Sequence, residues 1–181
     1  MTQRPQMRVA QKLASARWHL EWSEGPPSQA TGGGAFSLPQ RNSLLESAVF
    51  HLVGAYRAFL GEIAADIHLR PVDGKLPDTR SAGQLSASYP DYLPPALSQC
   101  LSLERVSPEE DDMEQCWLAL LMRWLDEAEV GESPGATPGA GRDLIAASSS
   151  SRSAPDGKSL AYCLAQLEAL IDRLREGQLE S

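Results

Sequence analysis

The sequence is short of nearly everything from which an active site is usually built. Histidine occurs only at His19, His51 and His68 in 181 residues. None follows a glutamate at the Glu-x-x-His spacing of a helical di-metal centre. None follows an arginine at the Arg-x(4–6)-His spacing of HEPN-type ribonucleases. The nearest metal-like set is Glu62, Asp66 and His68. The two carboxylates share a helix face at i and i+4 while His68 points elsewhere, so all read as solvated groups. Lone helical histidines such as His19 and His51 read as surface or hydrogen-bonded residues rather than general bases. Cys100, Cys116 and Cys163 form no C-x-x-C pair; an odd count with apolar neighbours reads as unpaired core thiols in a reducing compartment. There is no Gly-x-Ser-x-Gly elbow. Gly32-Gly33-Gly34 and the stretch 135–141 lack the preceding strand and the Gly-Lys-Ser/Thr of a phosphate loop. The chain is therefore expected to be no enzyme and to hold no metal or cofactor.

Long apolar runs are missing too. No stretch approaches the ~18–20 apolar residues of a membrane span, and the N-terminus has no apolar segment with a cleavage site. Residues 1–18 have the Arg-rich, acid-free look of a transit peptide, yet read more simply as a first helix. A cytoplasmic location and no membrane association are expected. The net charge of −8 opposes phosphate backbones, so no nucleic-acid partner is expected either. From Glu104 to Glu132 ten acids face two bases, a surplus equal to that whole excess of −8. Residues 1–18 carry Arg4, Arg8, Lys12 and Arg17 and no acid. These opposite charges are expected to attract each other within the fold, or else to face water.

What is present is helical periodicity. A first helix is predicted over 6–23, with Val9, Leu13, Ala16 and Leu20 on one stripe and Gly25-Pro26-Pro27 ending it. A second is predicted over 44–69, stopped before Pro71, with Leu45, Val49, Leu52, Tyr56, Phe59, Leu60, Ile63 and Ile67 on a broad apolar face. Short helical turns are predicted at 81–88 and 96–103. Ser107-Pro108-Glu109-Glu110 announces a third long helix, by an N-cap, a proline at its first position and a capping box. It runs to about 129 on a stripe of Met113, Trp117, Leu120, Trp124 and Ala128, widened by Leu121 and Leu125. A fourth, over 156–176, keeps Leu160, Leu164, Leu167, Ile171 and Leu174 at heptad spacing. No segment alternates apolar and polar residues as a strand would. The expectation is one all-α domain over 1–181: a bundle of about four long, mainly antiparallel helices, with short helical turns and two flexible Gly/Ser/Pro-rich loops at about 25–37 and 130–155. In the second loop Arg142–Ala147, with Leu144 and Ile145, is expected to pin the chain to the body.

Two surface features stand out. Trp18 and Trp22 lie opposite Val9 on the first helix. Gly54, Ala58, Gly61 and Ala65 form a row of small residues on the second. A helix-interior glycine costs ~1 kcal/mol against alanine, so two aligned on one face suggest a closely packed neighbour. Either Trp18 and Trp22 dock in that groove as ordinary core, or they form an exposed aromatic face that marks a partner or self-association site. Trp18, Trp22, Gly54, Ala58 and Gly61 are accordingly the candidate interaction face.

The stretch Gln11–Glu21 (QKLASARWHLE) and the stretch Ala48–Ala64 (AVFHLVGAYRAFLGEIA) resemble a family of small helical proteins of unknown function from Pseudomonas-type gammaproteobacteria. Leu144-Ile145-Ala146 and Leu170–Arg175 are similar to its later blocks, so the resemblance covers most of the chain outside the linkers. The Gly- and Ser-rich insertions at 30–34 and 131–157 look longer than that family's. The resemblance implies a bacterial cytoplasmic helical protein and supplies no active site. The leading functional expectation is a non-enzymatic interaction or adaptor protein, its partner a second copy (a homodimer) or another protein. The alternatives are a bundle binding a small apolar ligand among Trp18, Trp22, Trp117 and Trp124, and a degenerate HEPN-like RNA-associated module.

Overall fold

A computed structural model describes residues 3–25, 36–66, 77–89, 93–107, 113–131 and 155–179. These residues form six α-helices: α1 (Gln3–Ser23), α2 (Leu38–Asp66), α3 (Ala82–Ser88), α4 (Pro95–Glu104), α5 (Met113–Gly131) and α6 (Gly157–Leu179). Among the described residues there is no strand, so the all-α class is observed. The segments expected to be flexible lie mostly outside the described residues, at 26–35 and 132–154. So do the Arg142–Ala147 island, the Pro108–Glu110 part of the α5 cap, and positions 67–70 at the predicted end of the second helix.

The helix ends have local causes. α1 stops where Gly25 takes φ +118°, a left-handed value that suits glycine, and its N–H bonds the Trp22 carbonyl at 3.1 Å. α2 begins six residues before the predicted start. Ser37 is its cap: the Gln40 side chain accepts from the Ser37 N–H at 3.0 Å, and the Arg41 N–H bonds the Ser37 carbonyl at 3.0 Å. Ser37-x-x-Gln40 is half of a capping box, and Pro39 fits within the first turn, where no N–H is needed. Ser81 caps α3 by accepting from the Gln84 N–H at 3.1 Å. Asp156 caps α6, its Oδ1 accepting from the N–H groups of Lys158 and Ser159 at 2.8 and 2.9 Å. Those bonds hold its carboxyl below the usual range.

One contiguous core draws buried residues from all six helices. α2 is its hub and packs on each of the other five. That explains why Ala48, Val53, Ala55 and Ala64 are buried beside the predicted stripe: the helix is enclosed on several sides, not one. Among the described residues α2 alone is long and apolar enough to cross a membrane, and 61 % of that stretch is buried inside the fold. This corrects the expectation that no segment reaches such length and apolarity. α5 likewise packs on α2, α4 and α6, which buries Cys116 and Leu118 beyond its predicted stripe.

Paired contacts give the helix directions. His19 meets His51 and Lys12 meets Gly54, so α1 and α2 run antiparallel. Ser23 meets Gly157 and Arg17 pairs with Glu168, so α1 and α6 do too. Leu45 meets Gly157 and Glu62 meets Arg175, so α2 and α6 run the same way. Among the described residues the ion pair of α1 is made to α6 and none to the acidic 104–132 segment, since α1 packs chiefly on α2 and α6.

Two carboxylates are built into the frame. Glu62 is 6 % exposed and grips Arg175 of α6 through contacts of 2.9, 3.0 and 3.2 Å. It is therefore no solvated group. Its partner lies far along the chain, where i,i+4 reasoning does not look. Glu104, at the end of α4, accepts from the Tyr56 hydroxyl at 2.8 Å and from the Ala82 and Gly83 N–H groups at 2.7 and 3.0 Å. It ties α2, α3 and α4 together.

Candidate functional site

The candidate residues lie on the outer side of the α1–α2 pair, and the structure separates them into two adjoining surfaces. The first is aromatic. Trp18 projects from the face of α1 opposite its buried stripe and stays 47 % exposed. Its ring lies tilted against Trp22 (centroids 5.1 Å, 32° between planes), and Trp22 meets Phe36 just before α2 (6.3 Å). Trp18 also meets His19 edge-on at 4.9 Å. His19 lies nearly parallel to His51 of α2, at 5.1 Å and 15°, and Phe50 stands edge-on to His51 at 5.6 Å. The Lys12 ammonium sits 5.0 Å over the Phe50 ring, a cation–π contact that ends the row. Sequence reasoning missed the His19–His51 stack, because two isolated histidines on separate helices give no local signal of meeting. Burial holds both imidazoles below their usual range. At His51 the charges of Lys12 and then His19 add to that burial.

Helix phase puts Met7, Gln11, Ala14 and Trp18 in one line at i, i+4, i+7 and i+11. Met7 is as exposed as Trp18 is prominent (69 %). Gln11, Ala14, Ser15, Trp18 and His19 border a shallow depression of about 330 Å³. One helix face therefore carries both a projecting indole and a hollow over small side chains.

The second surface is the small-residue row. Gly54, Ala58 and Gly61 form the floor of a recess of about 540 Å³ between α1 and α2. Phe50, Thr79 and Leu125 also line it, together with three cationic residues: Arg8, Lys12 and Arg57. Trp18 and Trp22 do not dock there. The aliphatic stem of Lys12 covers Gly54 at 3.4 Å, and among the described residues nothing comes within 4 Å of a Cβ built on Gly61. The row is a groove, as the spacing suggests, but its covering residue is a lysine and one end stands open. None of the four tryptophans lines this recess, and Trp117 and Trp124 are core residues at 3 % and 6 % exposure.

The thiols are core groups. Cys100, Cys116 and Cys163 are buried and form no disulfide with one another. Burial pushes the Cys100 and Cys163 thiols up to about 12, far from the thiolate a nucleophile needs. Among the described residues no group of three His, Cys, Asp or Glu side chains is placed to hold a metal ion.

An all-α protein with an aromatic strip and a basic recess side by side on one helix pair is the class these features define. The chain belongs to the family of unknown function DUF6586, whose model matches residues 1–181. No curated protein and no solved structure matches it.

Proposed function

We propose that this is a non-enzymatic interaction protein of the bacterial cytoplasm, a single-domain bundle of four long, mainly antiparallel helices that pairs with a second copy of itself through α1. The observation that carries the reading is the knob and the hollow on one face. An isologous two-fold contact needs a self-complementary patch. Crossing two α1 helices antiparallel about Ala14 brings the Trp18 indole of each copy over the Gln11–Ala14–Ser15 depression of the other. Exposed tryptophans in such patches commonly dominate interface energetics. The cytoplasmic part rests on three buried cysteines that form no disulfide with one another, and the non-enzymatic part on the missing catalytic spacings.

Sedimentation velocity over a rising concentration series tests it. The wild type is expected to dimerise. Trp18→Ala should weaken dimerisation by at least about 30-fold, the equivalent of a ~2 kcal/mol hot spot, and leave monomer stability within ~0.5–1 kcal/mol. Ala14→Arg, which fills the hollow, should act the same way. A wild type that stays monomeric throughout, or a Trp18→Ala protein that dimerises like the wild type, would overturn the reading.

A further inference from the structure

We infer that the recess between α1 and α2 is a binding site for a small organic anion: a carboxylate or phosphate monoester carrying an apolar ring or chain. The inference is independent of the dimer reading, since neither Trp18 nor Trp22 lines the recess.

Three cations converge on this space from two helices in a chain whose net charge is −8. The ion pairs of the described residues are Arg17–Glu168, Arg80–Asp78, Arg123–Glu127 and Arg175–Glu62. Arg8, Lys12 and Arg57 are in none of them. Arg8 and Lys12 stand at i and i+4, where like charges repel along a helix. Lys12 is laid over Phe50 and Gly54 instead of reaching for an acid. Asp78, an acid near Arg57, is gripped through both its oxygens by Arg80 at 2.6–3.0 Å. Arg57 is itself oriented, its Nε donating to the Arg80 carbonyl at 3.2 Å. With Nε so held and no ion pair among the described residues, the guanidinium has donors left for an anion.

The rest of the recess fits the apolar part of such a ligand. Its volume of about 540 Å³ lies within the ~300–1,000 Å³ of small-molecule sites. Phe50 and Leu125 supply walls, and Thr79 adds a hydroxyl at the rim. Gly61 has an ordinary helical backbone and, among the described residues, no neighbour within 4 Å of a Cβ. Alanine there would favour the helix by ~1 kcal/mol, so neither backbone strain nor close packing calls for glycine. What glycine does there is keep the floor open.

Isothermal titration calorimetry with 1-naphthyl phosphate, 1-naphthoate and uncharged 1-naphthamide tests the site on the full chain. One or both anions are expected to bind and the amide not to bind. Lys12→Gln and Arg57→Gln should each weaken the bound anion by about tenfold or more, the loss of one charge-assisted hydrogen bond. Gly61→Leu should abolish binding while circular dichroism and the melting temperature show a folded helix protein. Trp18→Ala should bind as the wild type does, which separates this site from the α1 dimer. The inference is overturned if neither anion binds at millimolar concentration, if the amide binds as tightly as the anions, or if folded Gly61→Leu binds like the wild type.

Discussion

At the scale of single residues, burial decides what the titratable groups do. The Cys100 and Cys163 thiols are held neutral up to about 12 against an ordinary 9.0. The Tyr56 phenol is also raised, first by burial and then by the neighbouring Cys100 and Glu104. A raised acid group contributes stability that is fully present below its unfolded value. That stability is lost as pH climbs towards the folded one, because the unfolded chain then binds fewer protons. The two imidazoles work at the other edge. His19 and His51 are lowered from 6.5, so their contribution is present above 6.5 and fades as pH falls through the folded value. Urea unfolding across pH should therefore show a plateau between about 6.5 and 9 with a decline on either side. In Cys100→Ala/Cys163→Ala the alkaline decline should be shallower. An alkaline limb unchanged in that double variant would show that the thiols are not its source.

At the scale of elements, the apolar stripes on α1, α2, α5 and α6 were legible because helical spacing is a local property. What the sequence hid was what lies across from each stripe. Ser37-x-x-Gln40 marks the start of α2, yet Pro39 and the preceding glycines make the segment read as connector. Glu62 reads as solvated until Arg175, 113 residues away, is seen to grip it. The row Gly54, Ala58, Gly61 announced a groove, and only the fold shows Lys12 over one end and open space at the other. That difference has a measurable consequence. Gly61→Ala adds helix propensity and meets nothing, so it should raise stability by about 0.5–1 kcal/mol. Gly54→Ala gains the same propensity but presses on the Lys12 stem at 3.4 Å, so its gain should be smaller. Denaturant midpoints of the two variants check the order. A destabilising Gly61→Ala would mean that this face is covered.

At the scale of the whole molecule, α2 is the one element that packs on every other, while α3 packs only on its neighbours α4 and α2 with substantial contact. α3 is also held by a few polar bonds at one end, to Ser81 and to the Glu104 carboxylate. Opening it exposes Ala82 and Leu85 and little else. Opening α2 exposes Leu52, Tyr56, Phe59, Leu60 and Ile63 and strips each other helix of a partner. Local openings cost in proportion to the contacts they break. Native-state hydrogen exchange should then find the slowest amides in the Leu52–Leu60 part of α2, exchanging only with global unfolding, and the fastest helical amides in α3. Glu104→Gln weakens the tie among α2, α3 and α4 without removing its side chain. It should speed exchange in α3 by about tenfold, the weakening of a charged hydrogen bond by ~1.4 kcal/mol, and leave the α2 amides moved only by the change in global stability. Equal acceleration of α2 and α3 would mean that the helices open as one unit and that α3 is no separate, weaker part of the fold.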